Sequence, residues 1–158
     1  MSNVGKKFGD TRIKELQRVY TMHHLRVGDH VTYYKAPFQR HAIVTSLDVA
    51  EATMTLVRLV FRDAGRKLKQ PRVGVKTVQS VQLRKECGSH VCRVVYDGPC
   101  FADADVATRA SSLLGMQVRS PYTPTASKIA VWCRTGNYHD VIKQILKLES
   151  DSRAQPNV

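Results

Sequence analysis

Between Val27 and Tyr96 the chain alternates apolar and polar residues in short runs rich in β-branched and aromatic side chains. Val31-Thr32-Tyr33-Tyr34, His41 to Leu47, Met54 to Phe61, Val73 to Leu83 and Val91 to Tyr96 each read as a strand. Pro37 breaks the first pair, and Ala64-Gly65 and Gln70-Pro71 interrupt the region after the third run. The connections suit a meander, hence a mostly antiparallel sheet. Helical spacing replaces alternation on either side. Residues 10–24 place Ile13, Leu16, Val19 and Tyr20 on one side and Arg12, Lys14 and Arg18 on the others, with Asp10 or Thr11 as cap. This pattern predicts a basic amphipathic helix.

Three further helices are predicted downstream. Asp103 or Asp105 starts one whose Val106, Ala110, Leu113 and Leu114 share a face, with Gly115 as its stop. Thr125 caps a second that begins at Ala126, places Ile129, Ala130 and Cys133 on one face, and ends at Gly136. Asn137 or Asp140 starts a third, carrying Val141, Ile142, Ile145, Leu146 and Leu148. Strands first and helices after predict an α+β architecture, an antiparallel sheet flanked by helices. The expected organisation is a basic N-terminal segment over 1–24, a domain over 25–148 and a polar tail over 149–158.

Composition narrows the classes. A chain of 158 residues with 42% hydrophobic content holds one core and excludes wholesale disorder. No apolar run spans a bilayer, the first residues carry no secretory pattern, and the last are polar, so no membrane anchor is expected. Twenty-five Lys and Arg against thirteen Asp and Glu leave a net charge of +12. Such an excess favours polyanions: nucleic acid, or an anionic membrane surface. Cations concentrate at Arg62, Arg66, Lys67, Lys69, Arg72, Lys76, Arg84 and Lys85. Together with Arg12, Lys14 and Arg18 these are the expected RNA-contacting residues, with Tyr20, Tyr33, Tyr34 and Phe38 available for stacking. A solvated hairpin tip and a helix packed with its basic side in water are the bland alternatives.

Candidate chemistry centres on two segments. The first is Leu25-Arg26-Val27-Gly28-Asp29-His30-Val31-Thr32-Tyr33-Tyr34, followed by Gln39-Arg40-His41-Ala42-Ile43-Val44. The second is Thr125-Ala126-Ser127-Lys128-Ile129-Ala130-Val131-Trp132-Cys133-Arg134-Thr135-Gly136, preceded by Ser112-Leu113-Leu114-Gly115-Met116-Gln117-Val118. Taken together they resemble the H-box/NC, lecithin:retinol acyltransferase-like family, and within it the picornaviral 2A branch of the parechovirus kind. The resemblance implies a papain-like or acyltransferase-like half, with His41 at the position of the general base. Aligned without a gap on Cys133-Arg134-Thr135-Gly136, the nucleophilic Cys falls on Ala126, which cannot attack a substrate. Thr53, Met54 and Thr55 stand where the family places an orienting His on the next strand. An engineered Cys→Ala change would account for Ala126 but not for Thr125 or that missing His.

Cys133 lies two turns along the helix, away from its positive end, and reads as core. Cys87, His90, Cys92 and Cys100 have a spacing compatible with zinc but lack paired Cys-x-x-Cys knuckles; free thiols and no metal or other cofactor are the simpler expectation. His23-His24 reads as the exposed end of a helix. The combined expectation is a pseudoenzyme of viral type, with His41 and Ala126 as relic positions, that binds RNA in the host-cell cytoplasm and, as a further compartment, the nucleus. Two alternatives stay open. One is a thiol acyltransferase or phospholipase pairing His41 with a mutated or misaligned Cys; the other is an adaptor whose basic face meets acidic host proteins.

Overall fold

As far as they are described, the five runs of alternating residues are strands of one sheet, and the strand that holds Val73 also runs through the expected break at Gln70-Pro71. In the computed structural model, which describes residues 11–35, 38–63, 65–79, 91–116 and 125–136, β1 spans Arg12–Val19, β2 His30–Lys35, β3 Phe38–Asp48, β4 Thr53–Asp63, β5 Arg66–Gln79 and β6 Val91–Asp97. Their order is β1-β6-β2-β3-β4-β5, and every paired neighbour runs antiparallel. Two helices follow, α1 over Asp103–Ser112 and α2 over Thr125–Thr135. The expected α+β class therefore holds. The helix expected after Asn137 lies outside the described residues, as do Arg84, Lys85, Cys87 and His90.

One expected element is overturned: the N-terminal helix is strand β1, paired with β6. A β-bulge explains the misleading spacing. Ile13 stands opposite Tyr96 and Glu15 opposite Val95, so Lys14 is an extra residue in the ladder. The bulge restores Ile13 and Leu16 to the same face, where both pack with Val94, Tyr96 and Val131 of α2. Three-residue spacing, which suggested helix, is thus produced by a strand with one inserted residue. The chain then makes a single 3-10 turn over Met22–His24, which leaves His23 and His24 exposed and buries Met22.

Alternation gives the sheet two apolar faces, and each is used. On one face Ile43, Val57, Leu59 and Val73 meet Phe101, Val106, Ala110, Ala126, Ala130 and Cys133, so both helices cover this side. On the other, Val31, Tyr33, Ala42, Val44, Met54, Leu56, Val78 and Val91 form a cluster with Met22 and Leu25, and Val19 packs against it. Residues from all six strands join this cluster. Val44, Leu56, Val106, Val131 and Cys133 are all fully buried.

The helix ends obey local rules. Asp103 is the first residue of α1, behind Ala102, rather than its cap; with Asp105 it places negative charge at the positive end of the helix. Leu114 departs from the expected apolar face and is 44% exposed. Gly136 takes φ +71 and donates its N–H to Trp132 O, the expected left-handed stop of α2.

Candidate functional site

The Gly28-Asp29 pair fixes the start of β2 against the rest of the domain. Gly28 adopts φ +93, and a Cβ there would stand 2.8 Å from Asp103 O, so only glycine allows α1 to approach this closely. Gly28 N donates to Val44 O and Val44 N donates to Asp29 O, which ties the turn to β3. The Asp29 carboxylate accepts from Arg26 N at 2.8 Å and lies 3.9 Å from Arg93. Burial raises its pKa; the Arg26 N–H and the charges of Arg93 and Arg134 offset part of that shift.

Directly after this turn a buried polar relay begins. His30 Nε2 lies 2.8 Å from His41 Nδ1, and His30 Nδ1 lies 2.8 Å from the Tyr96 hydroxyl. Thr32 stands opposite His41 in the β2–β3 hairpin, so His30 is the diagonal neighbour of His41 on the same face. The partner that orients His41 is therefore His30, on the preceding strand. This corrects the expectation of a missing second His, which looked only at residues 53–55 on the following strand.

The relay has two coherent proton arrangements. Burial, reinforced by His41 and Arg134, holds the His30 pKa well below its ordinary 6.5, so its ring is neutral and carries one N–H. Burial also pushes the Tyr96 phenol up, so it keeps its proton; Arg134 opposes that shift, while Cys100 and Cys133 add to it. If Tyr96 donates to His30, His30 donates to His41 Nδ1 and the His41 proton sits on Nε2. If the relay runs the other way, His41 Nδ1–H donates to His30, and His41 Nε2 carries the lone pair of a base. Reversing both hydrogen bonds of His30 together, so that its Nδ1–H donates to the Tyr96 oxygen, thus converts a neutral His41 from a donor to an acceptor at the nitrogen the relay does not use.

At the start of α2, Ala126 is buried among the helix-side apolar residues that include Ile43, two positions beyond His41 on the same face of β3. Ser127 beside it is buried as well. Cys133 is core as expected: burial pushes its thiol up to about 12, with Arg109 opposing the shift. Cys92 and Cys100 are partly buried and their thiols are likewise raised by burial. Among the described residues no three metal-ligating side chains come together.

Arg134 joins the surrounding elements. Its Nη1 donates to Gly28 O at 3.1 Å and lies 3.9 Å from Asp103 Oδ1, and the guanidinium sits 4.9 Å from the centre of the Tyr96 ring. Arg109 plays a similar part on α1. It is 9% exposed, lies between the rings of Phe101 and Trp132 at 4.2 and 3.8 Å, and donates to Trp132 O. Neither role was visible in the spacing of cations along the chain.

The expected RNA-contacting residues fall into two separate places. Arg12, Lys14 and Arg18 are on β1, at one edge of the sheet order, whereas Arg62, Arg66, Lys67, Lys69, Arg72 and Lys76 are on β4 and β5 at the other. A basic helix lying beside the hairpin is thus replaced by two basic sheet edges. Arg66 and Lys67 are exposed at the hairpin tip, where Asp63 pairs with Arg66 and Gly65 takes φ +80. Arg72 and Lys76 are partly buried, Lys14 is exposed, and Arg18 lies 5.9 Å from the exposed Tyr20 ring. Two arginines outside the expected set also stand on the sheet, Arg58 on β4 opposite Gly74 of β5 and Arg40 on β3. Compared with models of known protein families and with curated proteins, the chain gives no match. No helix among the described residues is long and apolar enough to cross a membrane.

Proposed function

We propose that this chain is a non-enzymatic domain of the H-box/NC type, closest to the picornaviral 2A branch, that binds RNA through its basic surface. An antiparallel sheet with both helices on one face supports a papain-like or acyltransferase-like half. The observation that carries the binding function is the cation density of the β4–β5 hairpin, with Arg66 and Lys67 exposed at its tip in a chain of net charge +12. Phosphates are neutralised by such side chains without base contacts, so discrimination between RNAs is weak unless tyrosines stack. The methyl of Ala126 supports the non-enzymatic part, because it fills an apolar site where a nucleophile would stand. A domain of this kind acts in the host-cell cytoplasm and the nucleus.

Titration of a labelled single-stranded RNA at several salt concentrations tests this. Each phosphate contact contributes about 0.7 to the log–log salt slope. Replacing Arg66, Lys67 and Lys69 together by Ala should weaken binding to all sequences and flatten the slope. An unchanged affinity and slope, or no RNA binding near physiological salt, overturns the reading and favours a face for acidic proteins.

A thiol-enzyme reading also has an observation in its favour, the His30–His41–Tyr96 relay. An Ala126→Cys variant separates the two. A thiol at the start of α2 gains from the positive end of the helix, which favours ionisation, against burial in the apolar cluster, which opposes it. Acylation of that variant by an activated thiol-directed ester, lost on His41→Ala, would support an ancestral enzyme silenced at one position. His41-dependent acylation of the unaltered chain would overturn the non-enzymatic reading.

A further inference from the structure

The face of the sheet opposite the helices carries a strip of cations that linear spacing does not bring together. Arg40 stands directly opposite Tyr33 across the β2–β3 hairpin. Arg58 stands opposite Ala42, one step along the same face of β3 from Arg40. On β5, Gly74 is opposite Arg58, Arg72 opposite Val60 and Lys76 opposite Leu56, so Arg72 and Lys76 are the two diagonal neighbours of Arg58. Four cations therefore share one face across three adjacent strands. They border the apolar cluster of Tyr33, Ala42, Val44 and Leu56.

The side chains in this strip are held in place. Arg58 Nη1 donates to the Tyr33 hydroxyl at 3.0 Å, and Tyr33 itself is 2% exposed. The Arg40 guanidinium lies 4.6 Å from the centre of the Phe61 ring, which sits at the β4 bulge between Val60 and Arg62 and packs against the helix-side cluster, so Arg40 reaches the rim of the sheet. Arg58 Nε is buried and has no hydrogen-bond partner among the described residues. Burial lowers the Arg40 pKa, and the neighbouring charge of Arg58 lowers it further, while Tyr33 opposes the shift. Two like charges are thus fixed side by side at the edge of an apolar surface, where neither is fully hydrated. An anion between them would offset both the repulsion and the desolvation.

We propose that Arg40 and Arg58, flanked by Arg72 and Lys76, form the anchoring site for a phosphodiester group of single-stranded RNA, deeper on the sheet than the exposed hairpin tip. The proposal rests on the RNA-binding reading above and assigns it a specific place. Planar guanidiniums take two phosphate oxygens in parallel hydrogen bonds, which lysine cannot copy. Arg40, Arg58, Arg72 and Lys76 are all only partly exposed, so the site fits a phosphate carried on a flexible chain better than the flat plane of membrane headgroups. The rings of Tyr33 and Phe61 are already occupied by arginine, so the anchor reads backbone rather than sequence.

The test uses the full chain and a fluorescein-labelled 12-nucleotide single-stranded RNA of mixed sequence, followed by anisotropy between 0.05 and 0.3 M salt. The Arg40→Gln, Arg58→Gln double variant should bind at least about tenfold more weakly at 0.1 M salt, with the salt slope reduced by about 0.7, one phosphate contact. The Arg40→Lys, Arg58→Lys double variant keeps the charges; it should retain the slope and still lose several-fold in affinity. If the Gln variant does not fold, as judged by circular dichroism and melting, the Lys variant decides alone. Binding within twofold of the parent by a folded variant of either kind overturns the anchor. If the hairpin-tip triple variant still loses affinity in that case, RNA binding stands and only its assigned place is wrong. A parent chain that binds no RNA, or only vesicles containing phosphatidylserine, overturns both.

Discussion

Acid should loosen this fold through a single buried imidazole. His30 is 1% exposed, and both its nitrogens are engaged at 2.8 Å, by His41 and by Tyr96. Its pKa is held well below 6.5, whereas in the unfolded chain it returns to that value. Below pH 6.5 the unfolded state therefore binds a proton that the native state refuses, and stability falls as the pH falls. Above pH 6.5 the contribution is complete. One such site costs on the order of 1–2 kcal/mol by pH 5.0. Asp29 acts with the opposite sign at lower pH, because its raised pKa lets the native state hold a proton more readily than the unfolded one. The useful window is therefore pH 5.0 to 7.5. Urea unfolding across that window should show the loss in the parent chain. A His30→Gln variant should be less stable at pH 7.5, by about 1–3 kcal/mol for the broken relay. Its decline toward pH 5 should be shallower by on the order of 1 kcal/mol per pH unit. Because His41 shares a hydrogen bond with His30, the difference belongs to the pair. Parallel stability curves for parent and variant would refute the buried neutral imidazole.

Other substitutions test the frame. Deleting Lys14 removes the bulge and leaves Ile13 opposite Tyr96, so it should cost less than about 1 kcal/mol in urea unfolding. Deleting Gln17 instead should turn Ile13 and Leu16 to the other face and cost several times more; equal costs would contradict the strand register. Gly28→Ala combines a positive φ with a Cβ 2.8 Å from Asp103 O, and should lower the unfolding free energy by more than about 1 kcal/mol. Arg109→Ala empties the slot between Phe101 and Trp132; it should cost about 1–3 kcal/mol, and Arg109→Lys should recover only part of it in a thermal melt.

Strand positions were legible because period-two alternation survives even where both faces are buried, as in β3 and β4. The first strand was not, because an inserted Lys14 converts a two-residue repeat into a three-residue one, and local spacing alone favours a helix. The relay was legible in principle. His30 and His41 flank a Pro-containing hairpin, and any register pairing Thr32 with His41 sets them diagonally on one face. Spacing along the chain hides this, since register depends on where the turn closes. Arg40 and Arg58 were passed over because neither sits in a basic run; only the cross-strand ladder brings them beside Arg72 and Lys76. Gly136, Cys133 and the extent of α2 were readable from local rules, which need no partner strand, whereas α1 ends at Ser112, before the expected stop at Gly115.

Much of the resemblance has a structural job in this chain. Gly28 permits the approach of Asp103, Asp29 closes the turn before β2, Arg134 joins α2 to Gly28 and Asp103, and Gly136 ends α2. The His30–His41–Tyr96 relay has no such requirement, because an apolar trio of similar volume would pack there without needing every hydrogen bond met. Any claim of chemistry therefore has to rest on the relay. The proposed RNA site lies elsewhere: Arg40 and His41 are consecutive residues of β3, so their side chains leave the strand on opposite faces. The two readings can be separated by a single change. His41→Ala leaves His30 Nε2 without that partner, and should lower stability by about 1–3 kcal/mol in urea unfolding. RNA affinity and salt slope should stay at the parent values in the same variant at pH 7.5. A large loss of RNA affinity with the fold intact would place RNA on the helix-covered side of the sheet, in the cleft of the relay.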